Sequence, residues 1–303
     1  MSNKTEYRKA KFSDLVDIKT LIIFGAVLLF AIVQPLFGSE EDFNSDAITL
    51  DEIPAWSGEP YVELNGNIPV FGEVDPDLGP YEEYYELDEL GRCTQAVSCV
   101  STMLMPTEER GNISEVKPTG WQRVEYDFID GGLLYNRCHL IAYQLTGENA
   151  NEKNLITGTR YMNEEGMNPF EIMVGDYVRE TGNRVLYRVT PIFEGDELLA
   201  RGVQMEAWSI EDNGEGICFN VYCYNVQPGI EIDYATGDNS LMETACDHEA
   251  QDYVLNTNTL KYHLSTCEGV SDISEENAAS FTGCYETLDA RGYLPCGTCR
   301  PNE

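Results

Sequence analysis

The stretch that decides the fold runs from Tyr135 to Glu171 and reads YNRCHLIAYQLTGENANEKNLITGTRYMNEEGMNPFE. It places a histidine, an arginine and several amide side chains close together in a chain with three histidines. Arg137 and His139 are two residues apart, the spacing that puts side chains on one face of a β-strand. We therefore expect these two side chains to reach the same ligand.

Two asparagines follow in a segment that reads as helical. Asn154 and Asn163 lie nine residues apart, so on a helix they project to roughly opposite sides. This spacing favours Asn163 as the partner of the strand. Glu171, eight residues further on, returns to the face of Asn163 if the helix continues past Pro169.

Three short runs carry a family resemblance: NRCH at 136–139, GENANEKNL at 147–155 and YMN at 161–163. They resemble the DNA/RNA non-specific endonuclease family, and within it the bacterial DNA-entry nucleases. The resemblance extends over roughly 61–238. It departs from the family signature Asp-Arg-Gly-His at two positions, where Asn136 replaces the aspartate and Cys138 replaces the glycine.

The resemblance implies a ββα-metal finger, in which a histidine on a strand faces a helix whose asparagine holds one Mg²⁺. Hydrolysis of a phosphodiester needs a base, a cation and a fixed donor for a phosphate oxygen. His139 suits the base because its ordinary pKa is about 6.5. Asn163 offers an amide oxygen to Mg²⁺, with Mn²⁺ as the alternative ion. Arg137 supplies a planar fork for phosphate.

Three further residues have two interpretations each. Asn154 matches a motif asparagine that supports the catalytic site, or it is an N-cap of a helix that starts at Leu155. Glu171 binds the metal through a water, or it is a solvated helix end. Arg160 contacts the substrate backbone, or it pairs with Glu164.

The chain is strongly acidic, with 19 Lys and Arg against 53 Asp and Glu and a formal net charge of −34. Nucleic-acid enzymes normally attract phosphate with Lys and Arg, so the total charge argues against broad electrostatic binding. The stretch 137–160 is close to neutral, and a bound metal would make it positive. We expect contacts to DNA, with RNA as a further substrate, to be made mostly to phosphate.

The N-terminus predicts a membrane anchor. Basic residues are frequent in 1–20, and residues 21–38 are apolar and long enough to cross a bilayer at ~1.5 Å per residue. Positive charge before the span predicts a cytoplasmic tail at 1–20 and an extracytoplasmic catalytic domain. The alternative is a secreted protein, released after cleavage of a signal peptide.

The remaining organisation follows from composition and turn signals. Residues 39–60 are acidic and predict a stalk, and residues 61–71 around Asn65-Gly66-Asn67 predict a hairpin that opens an endonuclease domain at 61–240. Strands are predicted at 185–192, 198–208 and 216–226, with a turn at 130–132 before the histidine strand. The fold class is α+β, with a central antiparallel sheet and the finger packed on it.

A C-terminal module at 247–303 contains metal-ligand spacing. His263-x₃-Cys267 and Cys296-x₂-Cys299 together make a Cys₃His set suited to tetrahedral zinc, and two disulfides through the same cysteines are the alternative. The flanking residues resemble the small zinc-binding domain of the Ada DNA-repair protein.

Several cysteines lie outside that set. Cys246 is a candidate partner for Cys284, and Cys93 is a candidate partner for Cys99. Cys218 and Cys223 lie on opposite faces of a strand and should not bond to each other.

The leading interpretation is an anchored, outward-facing, Mg²⁺-dependent and sequence-non-specific endonuclease. A different class is a nucleic-acid-binding surface protein with a weakened site, because Asn136 and Cys138 both depart from the signature. A third is a zinc-scaffolded adhesion module that uses the acidic stalk.

Overall fold

The computed structural model describes residues 48–242 and 250–302. The tail expected at 1–20, the anchor expected at 21–38 and residues 39–47 of the expected stalk lie outside these residues. Within the described part of the chain, no helix is both long and apolar enough to span a membrane. The compact unit begins at Thr49 and continues to the C-terminus.

The described residues of this unit form fourteen strands and three α-helices. The strands are β1 Tyr61–Glu63, β2 Tyr81–Tyr84, β3 Ala96–Val100, β4 Tyr135–His139, β5 Leu155–Thr159, β6 Val185–Ile192, β7 Gly202–Ser209, β8 Cys218–Tyr224, β9 Ile230–Ile232, β10 Asn239–Leu241, β11 Gln251–Asn256, β12 Lys261–Leu264, β13 Ala278–Gly283 and β14 Leu294–Pro295. The helices are α1 Tyr143–Thr146, α2 Asn168–Thr181 and α3 Tyr285–Ala290.

A six-stranded antiparallel sheet forms the centre, in the order β1-β8-β7-β6-β3-β2. Its middle strands β6 and β7 are buried along almost their whole length, because the sheet is covered on both faces. The expected α+β class with a central antiparallel sheet is confirmed. The strand predicted at 185–192 has those bounds, while the other two predicted strands are shorter than expected.

The finger consists of the β4–β5 pair followed by a π-helical turn, Met162–Met167, that leads directly into α2. The turn predicted before β4 is present, since Gly132 donates its N–H to Ile129 and both glycines of the turn have positive φ. Helix α2 ends at Gly182, which adopts the left-handed conformation.

The hairpin predicted at 61–71 is wrong. β1 pairs with β8 at the edge of the central sheet, and a turn with positive φ follows at Asn65, Gly66 and Asn67. Residues 68–71 form no strand. Their backbone instead bonds to side chains of the sheet, including Glu206 and Asn220.

The end of the expected stalk also belongs to the folded unit. Tyr224 donates its hydroxyl to the Pro54 carbonyl and its N–H to the Pro60 carbonyl, and Tyr161 donates its hydroxyl to Gly58. These bonds attach residues 54–60 to the nuclease fold. The acidic composition of this segment gave no sign of that attachment.

The C-terminal sheet has the order β13-β11-β12-β14 and packs against α3. Its small core is built on three fully buried tyrosines, Tyr253, Tyr262 and Tyr293. Phe128 contacts both this core and the nuclease core beside β4, so the two parts share one contiguous interior.

Candidate active site and metal centre

One cavity of about 630 Å³ collects most of the residues that the sequence singled out. Arg137, His139, Arg160, Asn163 and Glu171 all line it. Its walls hold four arginines and two glutamates, so the cavity is positive although the chain carries a net charge of −34. Such local focusing of positive charge suits an anionic ligand.

His139 is the last residue of β4 and is 7% exposed. Its Nε2 lies 2.8 Å from the carbonyl oxygen of Asn149. A carbonyl only accepts, so Nε2 carries the proton and Nδ1 is left as an acceptor. Nδ1 lies 3.3 Å from a guanidinium nitrogen of Arg110.

Burial, together with the charge of Arg110, lowers the pKa of His139 to about 4, although the hydrogen bond to Asn149 acts in the opposite direction. The ring is therefore neutral at physiological pH. A neutral imidazole whose Nδ1 carries no proton can accept one from water.

Asn163 sits in the π-helical turn, where the Asn168 N–H bonds to the Asn163 carbonyl in place of an ordinary helical bond. Its side-chain amide nitrogen donates to Glu164 at 2.9 Å, so the amide oxygen remains an acceptor. Single π-turns of this kind often occur at functional sites. Here the helix continues past Pro169, which brings Glu171 to the same cavity as Asn163.

Glu171 lies in the first turn of α2. Burial, together with the negative charge of Glu164, raises its pKa to about 8 although Arg110 acts in the opposite direction. A cation beside such a carboxyl stabilises its ionised form and so favours loss of the proton. The donors Asn163, Glu164 and Glu171 are all oxygens, which is the ligand set that Mg²⁺ prefers.

Arg137 faces the cavity as the strand spacing predicts, but its fork is largely occupied. It donates to the carbonyls of Val116 at 2.5 Å and Ser114 at 3.0 Å, and it stacks 3.9 Å above the Trp121 ring. Arg137 thus attaches the loop at 114–121 to the cavity wall.

Arg160 pairs with Asp130 at 3.0 Å and with Glu164 at 3.2 Å. Of its two expected contacts, the pair with Glu164 is present. Arg160 still lines the cavity and borders the space that a substrate would enter.

Arg110 is the cavity residue that sequence reasoning missed. It forms no ion pair with a carboxylate in the described parts of the chain, whereas Arg123 and Arg160 do. It comes from an irregular loop 29 residues before His139, with no motif around it. Its place beside His139 depends on how that loop folds over the strand.

Asn154 is fully buried and does not line the cavity. Its side chain accepts from the Ile141 N–H at 2.9 Å and donates to the Ile141 carbonyl at 3.0 Å. It therefore ties the turn before β5 to the segment that follows His139. The helix predicted from Leu155 is wrong, because Leu155–Thr159 is strand β5. Asn154 and Asn163 therefore do not lie on one helix, since strand β5 separates them.

The two departures from the family signature occupy different environments. Asn136 lines the cavity, and its buried side-chain nitrogen has no hydrogen-bond partner. Cys138 points the other way, into the core against Gly158 and Met162, and burial raises the pKa of its thiol. Cys138 is therefore not a nucleophile paired with His139.

A second candidate centre lies in the C-terminal sheet. The ligand atoms of four residues lie within 4.8 Å of one another, and we call this set the Cys₃His cluster: His263, Cys267, Cys296 and Cys299. Nδ1 of His263 is buried with no hydrogen-bond partner. The backbone N–H groups of Leu264 and Thr298 each point at a cluster sulfur, at 3.4 Å. An unpartnered imidazole nitrogen beside three thiols fits zinc.

The disulfide alternatives can now be judged. The three cysteines of the cluster are free thiols, and so are Cys93 and Cys99, so the bond considered between Cys93 and Cys99 is wrong. Cys93 instead donates to backbone carbonyls in the buried turn before β5. Cys218 and Cys223 are not bonded, as expected. Cys284 is disulfide-bonded, and its expected partner Cys246 lies outside the described residues.

Comparison with known proteins agrees with this geometry. The family model described as DNA/RNA non-specific endonuclease matches residues 77–210. The crystal structure of NucA from Streptococcus agalactiae with magnesium ion bound superimposes with a TM-score of 0.55 at 27% identity, covering 62% of this chain and 88% of that one. NucA with no metal bound gives the same TM-score and identity, covering 67% and 97%. The matched region contains the whole finger from β4 to α2. Residues 77–210 thus match the DNA/RNA non-specific endonuclease family, and the chain is a metal-dependent phosphodiester hydrolase.

Proposed function

We propose that this protein is a Mg²⁺-dependent endonuclease of the DNA-entry type, which cuts DNA and RNA without sequence preference. The observation that carries the proposal is the neutral His139, whose unprotonated Nδ1 faces the same cavity as the oxygen donors Asn163 and Glu171. A base and a cation site in one cavity are what hydrolysis of a phosphodiester requires.

His139 acts as the general base. Its Nδ1 takes a proton from the attacking water, and the bond from Nε2 to the Asn149 carbonyl keeps the ring in the orientation and tautomer for that step. The imidazolium that results is disfavoured by burial and by Arg110, so the proton is readily passed on to solvent. The base is thereby restored for the next turnover.

Arg110 provides the charge that the phosphate meets. Its guanidinium adjoins Nδ1 of His139 and has no competing carboxylate in the described residues, so it can donate to a phosphate oxygen next to the attacking water. Arg137 and Arg160 contribute mainly by shaping the walls, because most of their donors already have partners in the protein.

Asn163 and Glu171 would hold the Mg²⁺, with Glu171 acting through a water. When bound, the ion neutralises negative charge that develops on the phosphate. Asn154 supports the site from behind by fixing the backbone that follows His139.

Phosphate contacts account for the proposed lack of sequence preference. The groups that line the cavity are chiefly guanidinium, amide and carboxyl groups around one reaction centre. Phosphate is common to every nucleotide, so such contacts carry no information about base sequence.

We further propose that the Cys₃His cluster binds one Zn²⁺ with a structural role. The C-terminal sheet has a small core, and a metal with four protein ligands would stabilise it. Support comes from the clustered thiols and the unpartnered His263 nitrogen.

The proposed location is the cell membrane, with a single span at 21–38, a cytoplasmic N-terminus and an extracytoplasmic catalytic domain. Its support is the sequence: an apolar run preceded by basic residues. Cell fractionation tests it. Recovery of the protein from the medium with a new N-terminus near Ser39 would favour the secreted alternative.

The experiment that tests the function uses the purified full chain with plasmid DNA, in Mg²⁺ and in EDTA. We expect nicking and linearisation in Mg²⁺ and none in EDTA. A chain that retains the plasmid in a gel-shift assay but does not cut it in either condition would favour the nucleic-acid-binding surface protein with a weakened site. That result would implicate Asn136, which replaces the signature aspartate.

A further inference from the structure

A second cavity of about 770 Å³ lies between the nuclease fold and the C-terminal sheet. It shares Arg160 and Glu164 with the active-site cavity, so the two spaces adjoin. We call it the inter-sheet cleft. Its walls come from residues 56–60, the turn at 128–130, the β11–β12 loop and residues 289–294. The volume is within the ~300–1,000 Å³ typical of sites for small ligands.

Arg291 is the main charged group that the cleft leaves without a partner. Its guanidinium lies between the rings of Phe128, at 4.8 Å, and Phe281, at 5.2 Å. Among the described residues it forms no ion pair with a carboxylate. Burial lowers the pKa of Arg291, although Tyr293 acts in the opposite direction. A half-buried cation held between two rings can accept an anionic partner.

Three of the four carboxyl groups that line the cleft have an ion-pair or hydrogen-bond partner. Asp130 and Glu164 both pair with Arg160. Asp289 accepts a hydrogen bond from the Tyr262 hydroxyl at 3.0 Å, and burial raises its pKa. Glu165 is exposed at the edge. The positive charge of Arg291 is therefore the one available to a ligand inside the cleft.

The rim of the cleft is apolar and exposed. Leu294 is 62% exposed, Met242 42% and Leu260 39%. Leu260 has a φ of 47°, a backbone conformation that costs energy for a leucine. The Leu294 N–H donates a hydrogen bond of 2.8 Å to the Leu260 carbonyl. The strained turn thus presents an apolar side chain to solvent beside an unpaired arginine.

We infer that the inter-sheet cleft binds an unpaired nucleic-acid strand that continues from the active-site cavity. Arg291 takes a backbone phosphate, and the rim of Leu260, Leu294 and Met242 contacts the bases. This inference rests on the proposed nuclease function. An unpaired strand fits better than a duplex, because apolar contacts to base faces require bases that are not enclosed in a stack.

The test is a binding measurement on the full chain in buffer that contains neither Mg²⁺ nor a chelator, so that the proposed Zn²⁺ is retained. The probes are a fluorescently labelled oligothymidylate and a labelled hairpin duplex of equal length, each titrated at several salt concentrations. Arg291→Met removes the charge but keeps a long apolar stem between the two rings. Lys261→Met makes the same change of charge on β12 of the C-terminal sheet, at a residue that does not line the cleft.

We expect Arg291→Met to weaken binding of the single strand by on the order of tenfold and to reduce its salt slope by about 0.7, the value for one phosphate contact. Binding of the duplex should change much less. Lys261→Met should resemble the parent. Since binding is measured without Mg²⁺, the outcome does not depend on whether the parent cuts plasmid DNA.

A second variant tests the inference independently, in case Arg291→Met does not fold. Leu294→Glu adds a negative charge at an exposed rim position, and Met103→Glu is its control at an 82% exposed position outside the cleft. Leu294→Glu should weaken single-strand binding and Met103→Glu should not. Unchanged single-strand affinity in Arg291→Met or in Leu294→Glu, equal losses in the controls, or equal losses on the duplex would each overturn the inference.

Discussion

Asn154 gives the sharpest quantitative expectation, because its contacts are few and fully buried. Asn154→Ala removes the acceptor of the Ile141 N–H and the donor to the Ile141 carbonyl, and Ile141 itself is completely buried. Each backbone group left without a partner costs about 1–3 kcal/mol. We therefore expect the free energy of unfolding to fall by about 2–6 kcal/mol.

Urea denaturation followed by tryptophan fluorescence measures that loss, with Asn151→Ala as the matched control. Asn151 belongs to the same turn and caps it through one bond to the Lys153 N–H, at 3.0 Å, so its removal should cost about 1 kcal/mol. Suppose instead that Asn154→Ala unfolds like the parent but loses a hundredfold or more in turnover. Asn154 would then act on the substrate directly, and the supporting role argued from its hydrogen bonds would be wrong.

Three further expectations concern the two metal sites. Asn163→Ala should abolish cutting at ordinary Mg²⁺ and recover part of it at high Mg²⁺, because weak coordination responds to mass action; a Mg²⁺ titration of the rate that matches the parent would contradict this. Glu171 keeps its proton below a pKa of about 8, so protons compete with Mg²⁺ for this carboxylate. The affinity for Mg²⁺ should therefore fall by up to about tenfold per pH unit below pH 8. Isothermal titration should show this pH dependence in the parent and not in Glu171→Gln. Metal analysis should find one Zn²⁺ per chain and less in Cys267→Ser, while Cys218→Ser serves as the control; a chain without zinc would reject the Cys₃His assignment.

Much of the fold was accessible from local sequence patterns. The two-residue spacing of Arg137 and His139 is a property of any strand, and it placed both side chains at one cavity. Within each half of the Cys₃His cluster, His263 with Cys267 and Cys296 with Cys299, the ligand spacing is equally local. Strand β6 was predicted with its observed bounds because Gly182 and Asn183 mark the turn before it.

The errors arose where tertiary contacts decide between local alternatives. Leu155–Thr159 is a short apolar run that fits either a helix or a strand, and pairing with β4 makes it a strand. The β-branched residues Ile156, Thr157 and Thr159 favoured that outcome. Similarly, Tyr61–Glu63 was expected to pair with the nearest extended segment, but β8 offered a longer edge.

Arg110 and Asn149 show a different limit. Both contact the His139 ring from irregular segments. Arg110 has no motif around it, whereas Asn149 belongs to the run GENANEKNL at 147–155. Their roles depend on the path of loops across β4, which no short-range pattern specifies. The low pKa of His139 follows from burial and from the charge of Arg110, whereas the hydrogen bond to Asn149 acts in the opposite direction. The sequence alone therefore suggested a value near 6.5.

The central claim is that His139 is the base, and turnover of His139→Ala measured together with DNA binding tests it most directly. We expect turnover on plasmid DNA in Mg²⁺ to fall by about 10²–10⁴-fold, the contribution of general base catalysis, while affinity for DNA in EDTA stays close to that of the parent. High Mg²⁺ should not restore the rate, whereas added imidazole should restore part of it. Wild-type turnover in His139→Ala would contradict the account.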